Sequence, residues 1–402
     1  MQVPIRATYM RGGTSKGVFF LAEDLPEDPV IRDQVLMRVI GSPDPYGQHI
    51  DGMGAATSST SKIVIISASD RPDSDIDYLF GQVSIDKPLI DWSGNCGNLT
   101  AAVGPFAIHR GLISPGEARG ITIRIWQANI RKRILAHVPV REGQVLETGE
   151  FKLDGVAFPA AEIRIEFLDP GASNSEAGED GQAGVSGMFP TGNRIDELEV
   201  PGIGTLSATM IMAGNPAVFV SAASLGLTGK ELQVDLNSNH DLLDRLEQIR
   251  AHAAVRMGLG LSVEEVSRSR QHTPKLAFFA KPETYTASDG KTVSADNIDL
   301  LARILSMGKL HHAMTGTGAV GIAAAAAIEG TVVSQILGHA RNDIVFGHPS
   351  GVLRIGADVH TDASGQAVVN AVKVSRSARR LMDGQVFVPS SCLQPLDQAS
   401  NT

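Results

Sequence analysis

Two short stretches of this 402-residue chain are apolar on nearly every side: residues 97–111, and residues 318–328, which read Gly-Ala-Val-Gly-Ile-Ala-Ala-Ala-Ala-Ala-Ile. A helix with no polar face is buried all round. At roughly 11–15 residues neither stretch can cross a bilayer, which takes about 20. The economical arrangement is a strongly curved sheet wrapped around each helix, once in each half of the chain, with small side chains letting the sheet close. Each stretch follows a glycine-rich turn with small polar residues: Ser-Gly-Asn-Cys-Gly-Asn at 93–98 and Thr-Gly-Thr-Gly at 315–318. This weak internal repeat predicts an α+β fold of two similar domains whose helix N-termini face one cleft. The Pro-Gly-Ile-Gly run at 201–204 marks the crossover, giving domains over 1–200, completed by 376–402, and over 201–375.

The intervening sequence fits that plan. Short β-branched runs predict strands at 18–21, 63–66, 121–126, 134–138, 163–167, 217–220, 276–280, 352–355 and 368–374. Helical periodicity covers 30–39, 240–257 and 295–310. Residues 170–187, rich in Gly, Ser, Ala, Asp and Glu, predict a mobile surface loop. A net charge of −9 argues against nucleic acid as a main partner, since phosphate binding needs a basic face. No apolar run is long enough for a membrane span, and the first residues lack the apolar core of a secretion signal, so a cytoplasmic protein is expected. The only cysteines, Cys96 and Cys392, offer neither a disulfide framework nor metal-ligand spacing. Cys392, in a polar tail, reads as incidental.

Two opposed helix N-termini make a receptor for a polyanion, because unpaired backbone N–H groups and the helix dipole favour negative charge. Cys96 sits in such a turn. It is either a small buried apolar residue or a thiol activated by the helix end. Thr315-Gly316-Thr317-Gly318 is either a simple helix cap or the matching half of the receptor. Thr14, Ser15 and Lys16, in Arg-Gly-Gly-Thr-Ser-Lys-Gly, suit carboxylate binding; the spacing is not that of a nucleotide phosphate loop, and a strand comes next. Lys62 comes after a run of hydroxyls that includes Ser58 and Ser59. It is a solvated edge charge or, buried against apolar walls, a general base. Lys275 is a carboxylate clamp or an edge charge. His348-Pro349-Ser350 is a hairpin loop or projects His348 and Ser350 into the cleft. His311 and His312 are explained by the C-terminus of the helix expected over 295–310.

The residues resemble a known family. Gly-Asn-Cys-Gly-Asn at 94–98, Gly-Thr-Gly at 316–318 and Gly-Asn-Pro at 214–216 are similar to the half-sites of the diaminopimelate epimerase-like fold. Within it, the chain resembles the 2-methylaconitate cis-trans isomerases, the PrpF family. The segments that carry this are 9–20, 50–54, 58–62, 91–103, 124–130, 271–275, 306–314 and 347–351. The resemblance implies a site between two domains and isomerisation of a methylated aconitate in propionate breakdown by the methylcitrate cycle. It implies no metal or organic cofactor, and by analogy a homodimer. Lys62 and Cys96 fall on the catalytic positions. Carboxylate-binding positions fall on Thr14, Ser15, Lys16, Ser58, Ser59, Asn95, Gly97, Asn98, Lys275, Met314, Thr315, Gly316, Thr317, Gly318, His348, Pro349 and Ser350. Amino-acid epimerases carry a second cysteine where this chain has Thr315. A threonine hydroxyl hardly ionises, so two-thiol racemisation is disfavoured. The expected chemistry is removal and return of an allylic proton. The alternatives are keto–enol tautomerisation of a 4-oxalomesaconate-type acid and, in another class, tricarboxylate binding without turnover.

Overall fold

A computed structural model describes residues 1–171, 187–363 and 367–394. The two all-apolar stretches are helices, Thr100–His109 and Gly316–Ala326, and every residue of the second is buried. Small side chains are what let the sheets close on them. A Cβ at Gly104 would stand 2.9 Å from Val138 Cγ2 and 3.0 Å from Ile123 Cδ1, tighter than carbon contacts allow.

Each helix is the crossover of a repeated sheet pattern. In the first half Gln2–Gly12 pairs antiparallel with Ser15–Leu21, which pairs parallel with Lys62–Ala68. Ile76–Val83 is next, antiparallel, then Gly120–Gln127 parallel, then Lys132–Arg141 and Ile163–Leu168 antiparallel. The second half repeats the order: Gly204–Ala213 antiparallel with Asn215–Ser221, then Lys275–Ala280 parallel and Leu300–Ser306 antiparallel. Asp343–His348 is then parallel, and Gly351–Thr361 and Ala367–Arg376 antiparallel. Parallel neighbours need a long crossover. In each half the second crossover holds the central helix, and the first holds an outer helix, Pro29–Ile40 or His240–Arg256.

One strand joins the halves. Ala367–Arg376 pairs with Gly351–Thr361 on one side and with Ile163–Leu168 on the other. The outermost strand of the second sheet is Asp196–Val200; the matching place beside Gln2–Gly12 is taken by Ala378–Pro389, from the far end of the chain.

All nine expected strands lie within observed ones, and the helices expected at 30–39 and 240–257 are Pro29–Ile40 and His240–Arg256. The helix expected over 295–310 is not one. Its centre is the strand Leu300–Ser306, all seven residues buried. A strand buried on both faces is a continuous apolar run, and over so short a length periodicity does not separate it from a buried helix. The loop expected over 170–187 lies, except at its ends, outside the described residues.

Candidate active site

The two central helices meet end to end. A Cβ on Gly316 would stand 2.4 Å from the carbonyl carbon of Gly97 and 2.5 Å from Asn98 N, so the two glycine turns touch backbone to backbone. The Cys96 carbonyl accepts from Thr100 N at 3.0 Å, which places Cys96 at the mouth of the first helix. Thr315 Oγ1 accepts from Gly318 N at 3.1 Å and caps the second. That hydroxyl is held as a cap, not free as a racemase acid or base. The side chain of Asn98 ties the halves: its Nδ2 donates to Thr14 Oγ1 at 2.9 Å and to the Met314 carbonyl at 3.2 Å. Arg376 Nε in turn donates to Asn98 Oδ1 at 3.1 Å.

Two positive dipole ends pressed together repel unless negative charge comes between them. The pocket at this junction is lined by Ser15, Lys62, Cys96, Asn95, Gly97, Asn98, Thr315, Gly316 and Thr317, with His272, Lys275, Ser306 and His311. No carboxylate lines it. Two lysines do, and Lys62 and Lys275 are only 4% and 2% exposed.

Lys62 opens the strand Lys62–Ala68, so the strand delivers it to the pocket floor. Its Nζ donates to Gln82 Oε1 at 2.7 Å, lies 4.9 Å from the centre of the Phe80 ring and neighbours the Cys96 side chain in the same pocket. Burial lowers its pKa, and the neighbouring Cys96 partly offsets that. Lys275 opens the matching strand of the second half and donates to Ser306 Oγ at 2.9 Å and His272 Nδ1 at 3.2 Å. Burial, reinforced by the charge of Lys62, lowers its pKa to about 7. His272 Nδ1 accepts from the Lys275 ammonium, which can only donate, and so Nε2 carries the proton toward the Asn95 carbonyl at 3.3 Å, with Asn215 Nδ2 at 3.4 Å. Burial holds this ring well below the usual imidazole range, and it is neutral.

The pocket opens into a wide vestibule of about 1450 Å³ whose walls include Thr14, Ser15, Lys16, Ser58, Ser59 and His311. His311 Nδ1 accepts from Ala313 N, so its Nε2 donates to Ser59 Oγ at 3.1 Å, and Ser59 donates onward to His312 Nδ1 at 3.2 Å. The junction pocket itself has a volume of only about 10 Å³, so an anion seated among its donors, beside the buried amine and thiol, would extend into the vestibule.

A family model described as PrpF protein matches residues 2–389. The chain belongs to the PrpF family. Curated 2-methyl-aconitate isomerases of Shewanella oneidensis and Cupriavidus necator are 59% and 58% identical, each match covering 96% of this chain and 98% of the relative. A crystal structure of methylitaconate-delta-isomerase is 35% identical and superposes with a TM-score of 0.73 over the whole of both chains. The diaminopimelate epimerase-like fold expected from the resemblance is the fold of this chain.

Not every position expected from the PrpF resemblance reaches the pocket. His348 is buried, with Nδ1 accepting from Ser350 N, and burial lowers its pKa to about 3. Ser350 Oγ donates to the His312 carbonyl at 2.6 Å. His348, Pro349 and Ser350 line neither the pocket nor the vestibule and instead brace the turn that carries the histidines. Met314 takes part through its carbonyl, and Gly318 through the cap. Conversely, sequence reasoning assigned no role to His272, Ser306 or Gln82, and it placed His311 at a helix end. The signal for His311 and Ser306 was there once the 300–306 run is read as a strand: a strand ending in a tight turn aims the residues of that turn at the mouth of the sheet.

Proposed function

We propose that this PrpF protein is a cofactor-independent isomerase that interconverts the trans and cis forms of 2-methylaconitate. The observation that carries the reading is the Lys62–Cys96 pair, buried together at the junction of two helix N-termini in a pocket lined by no carboxylate. The N–H groups around Gly97 and Gly316, with Ser15 and Asn98, would hold carboxylates of the substrate. One member of the pair takes an allylic proton from carbon. The electron pair left behind spreads over the conjugated carboxylate, the former double bond loses bond order, and rotation becomes possible. Return of the proton to the same carbon restores the double bond in the other geometry, so nothing is oxidised and nothing leaves. Burial lowers the pKa of Lys62 and so favours it as a base, and preorganised donors stabilise the charge that develops, each contributing about 2.7–4 kcal/mol.

The match to the 2-methyl-aconitate isomerases supports this substrate over a 4-oxalomesaconate-type acid. We infer the same place in propionate catabolism through the methylcitrate cycle, a cytoplasmic setting and a homodimer. No described helix is long and apolar enough to cross a membrane. The repeated strand order supports two domains, with 376–402 completing the first and the strand Asp196–Val200, expected in the first, pairing into the second. The test is isomerisation of 2-methylaconitate in heavy water. Wild type is expected to isomerise with solvent deuterium entering the product; Lys62→Ala and Cys96→Ala are expected to lose at least about 100-fold in kcat. Full-rate turnover by both variants would refute the mechanism, and turnover without deuterium would exclude exchange with solvent.

A further inference from the structure

A base must keep its lone pair free, and a buried amine must also be held still. Lys62 and Gln82 stand directly opposite each other on neighbouring antiparallel strands, so their side chains share one face of the sheet. Both are buried. Phe80, two residues before Gln82, lies on that face too, and its ring covers one side of the Lys62 nitrogen. Gln82 Oε1 accepts from Lys62 Nζ at 2.7 Å, while Nε2 of the same amide donates to the Ser61 carbonyl at 3.0 Å. A carbonyl can only accept and an ammonium can only donate, so these two bonds fix which end of the amide faces the lysine. The Ser61 carbonyl is fixed in its turn, because it also accepts from Val83 N at 3.0 Å.

That orientation decides what the amine can do. An ammonium has three N–H groups; on losing a proton it keeps two and gains a lone pair. Gln82 Oε1 can bind an N–H in either state, so the nitrogen stays in place while the proton comes and goes. Turned round, the amide would offer its own N–H to the lone pair and quench the base. With Oε1 on one side and the Phe80 ring on another, the lone pair is left facing the pocket that Cys96 lines. The charge of the partner matters as much as its direction. A carboxylate in place of Gln82 would hold the proton on Lys62, since an opposite charge at this range favours the charged form. The other titratable groups around the pocket are Cys96, Lys275, His272 and His311. Burial keeps both imidazoles neutral, and Asp91, beside Gln82 on the next strand, is engaged by the N–H groups of Ser93 and His272. The matching lysine of the second half is held differently, by Ser306 and His272. The structure assigns Gln82 as a positioning residue, which aims the Lys62 lone pair into the pocket and leaves the amine able to give up its proton. The assignment rests on the reading of Lys62 as the base of the proposed isomerase.

The experiment measures kcat and KM for 2-methylaconitate against pH in wild type, Gln82→Met and Gln82→Glu. It is paired with an NMR titration of lysines labelled with carbon-13 at Cε, in which the Lys62 signal is the one that Lys62→Met removes. Gln82→Met keeps the length of the side chain and loses the acceptor. It is expected to lower kcat about 10- to 100-fold at every pH, the cost of a misaimed group, with KM within about threefold of wild type. Gln82→Glu is expected to raise the Lys62 titration midpoint by at least about one unit and to move the acid limb of the kcat profile up with it, a loss of about tenfold per unit on that limb. A part played only in folding would move neither the Lys62 signal nor that limb. Either variant alone decides the matter if the other does not fold. Unchanged kcat in folded Gln82→Met, a loss confined to KM, which would make this vestibule-lining residue a substrate contact, or an unmoved Lys62 midpoint in Gln82→Glu would overturn the assignment. If that midpoint moves as expected but wild type leaves 2-methylaconitate unchanged, the isomerase reading falls and the hold of Gln82 on the amine stands.

Discussion

A buried ammonium whose desolvation Asp91 offsets only in part opposes folding, and the sign of that effect can be traced with pH. The pKa of Lys275 in the folded chain is about 7, against 10.5 for an ordinary lysine. Below pH 7 both states hold the proton and the folded state bears the full desolvation cost. From pH 7 to 10 the unfolded chain holds a proton the folded chain has released, so stability from this group rises with pH, by up to about 1.4 kcal/mol per unit. Lys275→Met is therefore expected to stabilise the ligand-free protein, most strongly below pH 7 and progressively less above it. Denaturant unfolding at pH 6, 8 and 9.5 checks this; a constant difference would show that Lys275 is not buried as a charge. At this scale much of the site was legible. Lys62 and Cys96 stood out because a lysine after hydroxyls and a thiol in a glycine turn are unusual local chemistry. His272 and Gln82 did not, because their importance lies in which atoms they touch across the fold, 3.3 Å from Asn95 and 2.7 Å from Lys62.

The central helices are the elements on which the site depends, and their glycines set how closely they meet. At Gly316 an added methyl would press on the backbone of Gly97 and Asn98, where no side chain can rotate away. Gly316→Ala is expected to force the helix ends apart. Activity should fall at least about 100-fold, since a 1 Å misplacement of catalytic groups can cost that much, while each helix persists in circular dichroism. Near-normal turnover would mean that the contact between helix ends is not needed for the site. The helices themselves were readable from the lack of any polar face. Leu300–Ser306 was not, because complete burial erases the alternation that marks a strand. Gln2–Gly12 and Ala378–Pro389 were equally hard to see, the second having five successive exposed residues from Arg379 to Asp383.

At the scale of the whole molecule, the first sheet takes its outermost strand from the far end of the chain. Ala378–Pro389 pairs along the whole of Gln2–Gly12, the strand that leads into Thr14, Ser15 and Lys16. A chain ending at Arg376 would leave that strand paired only with Ser15–Leu21 and would remove Val386 and Val388 from the core they fill. It is expected to bind a hydrophobic dye and to lose tricarboxylate binding, although every residue proposed for the site is still present; a cooperative, ligand-binding truncated chain would refute this. Sequence alone determined the class of fold and the chemistry on offer. Two helices with no polar face can exist only inside something, and glycine turns before them can serve only where backbones come close. What only the tertiary structure decided is which of those groups meet. Sequence cannot state that Asn215 holds the Asn95 backbone and leaves its side-chain amide bare, that the His348 turn braces the turn carrying His312, or that two lysines 213 positions apart, Lys62 and Lys275, share one pocket. Those facts depend on long-range pairing, because burial and the distance between charges exist only once the sheets have closed.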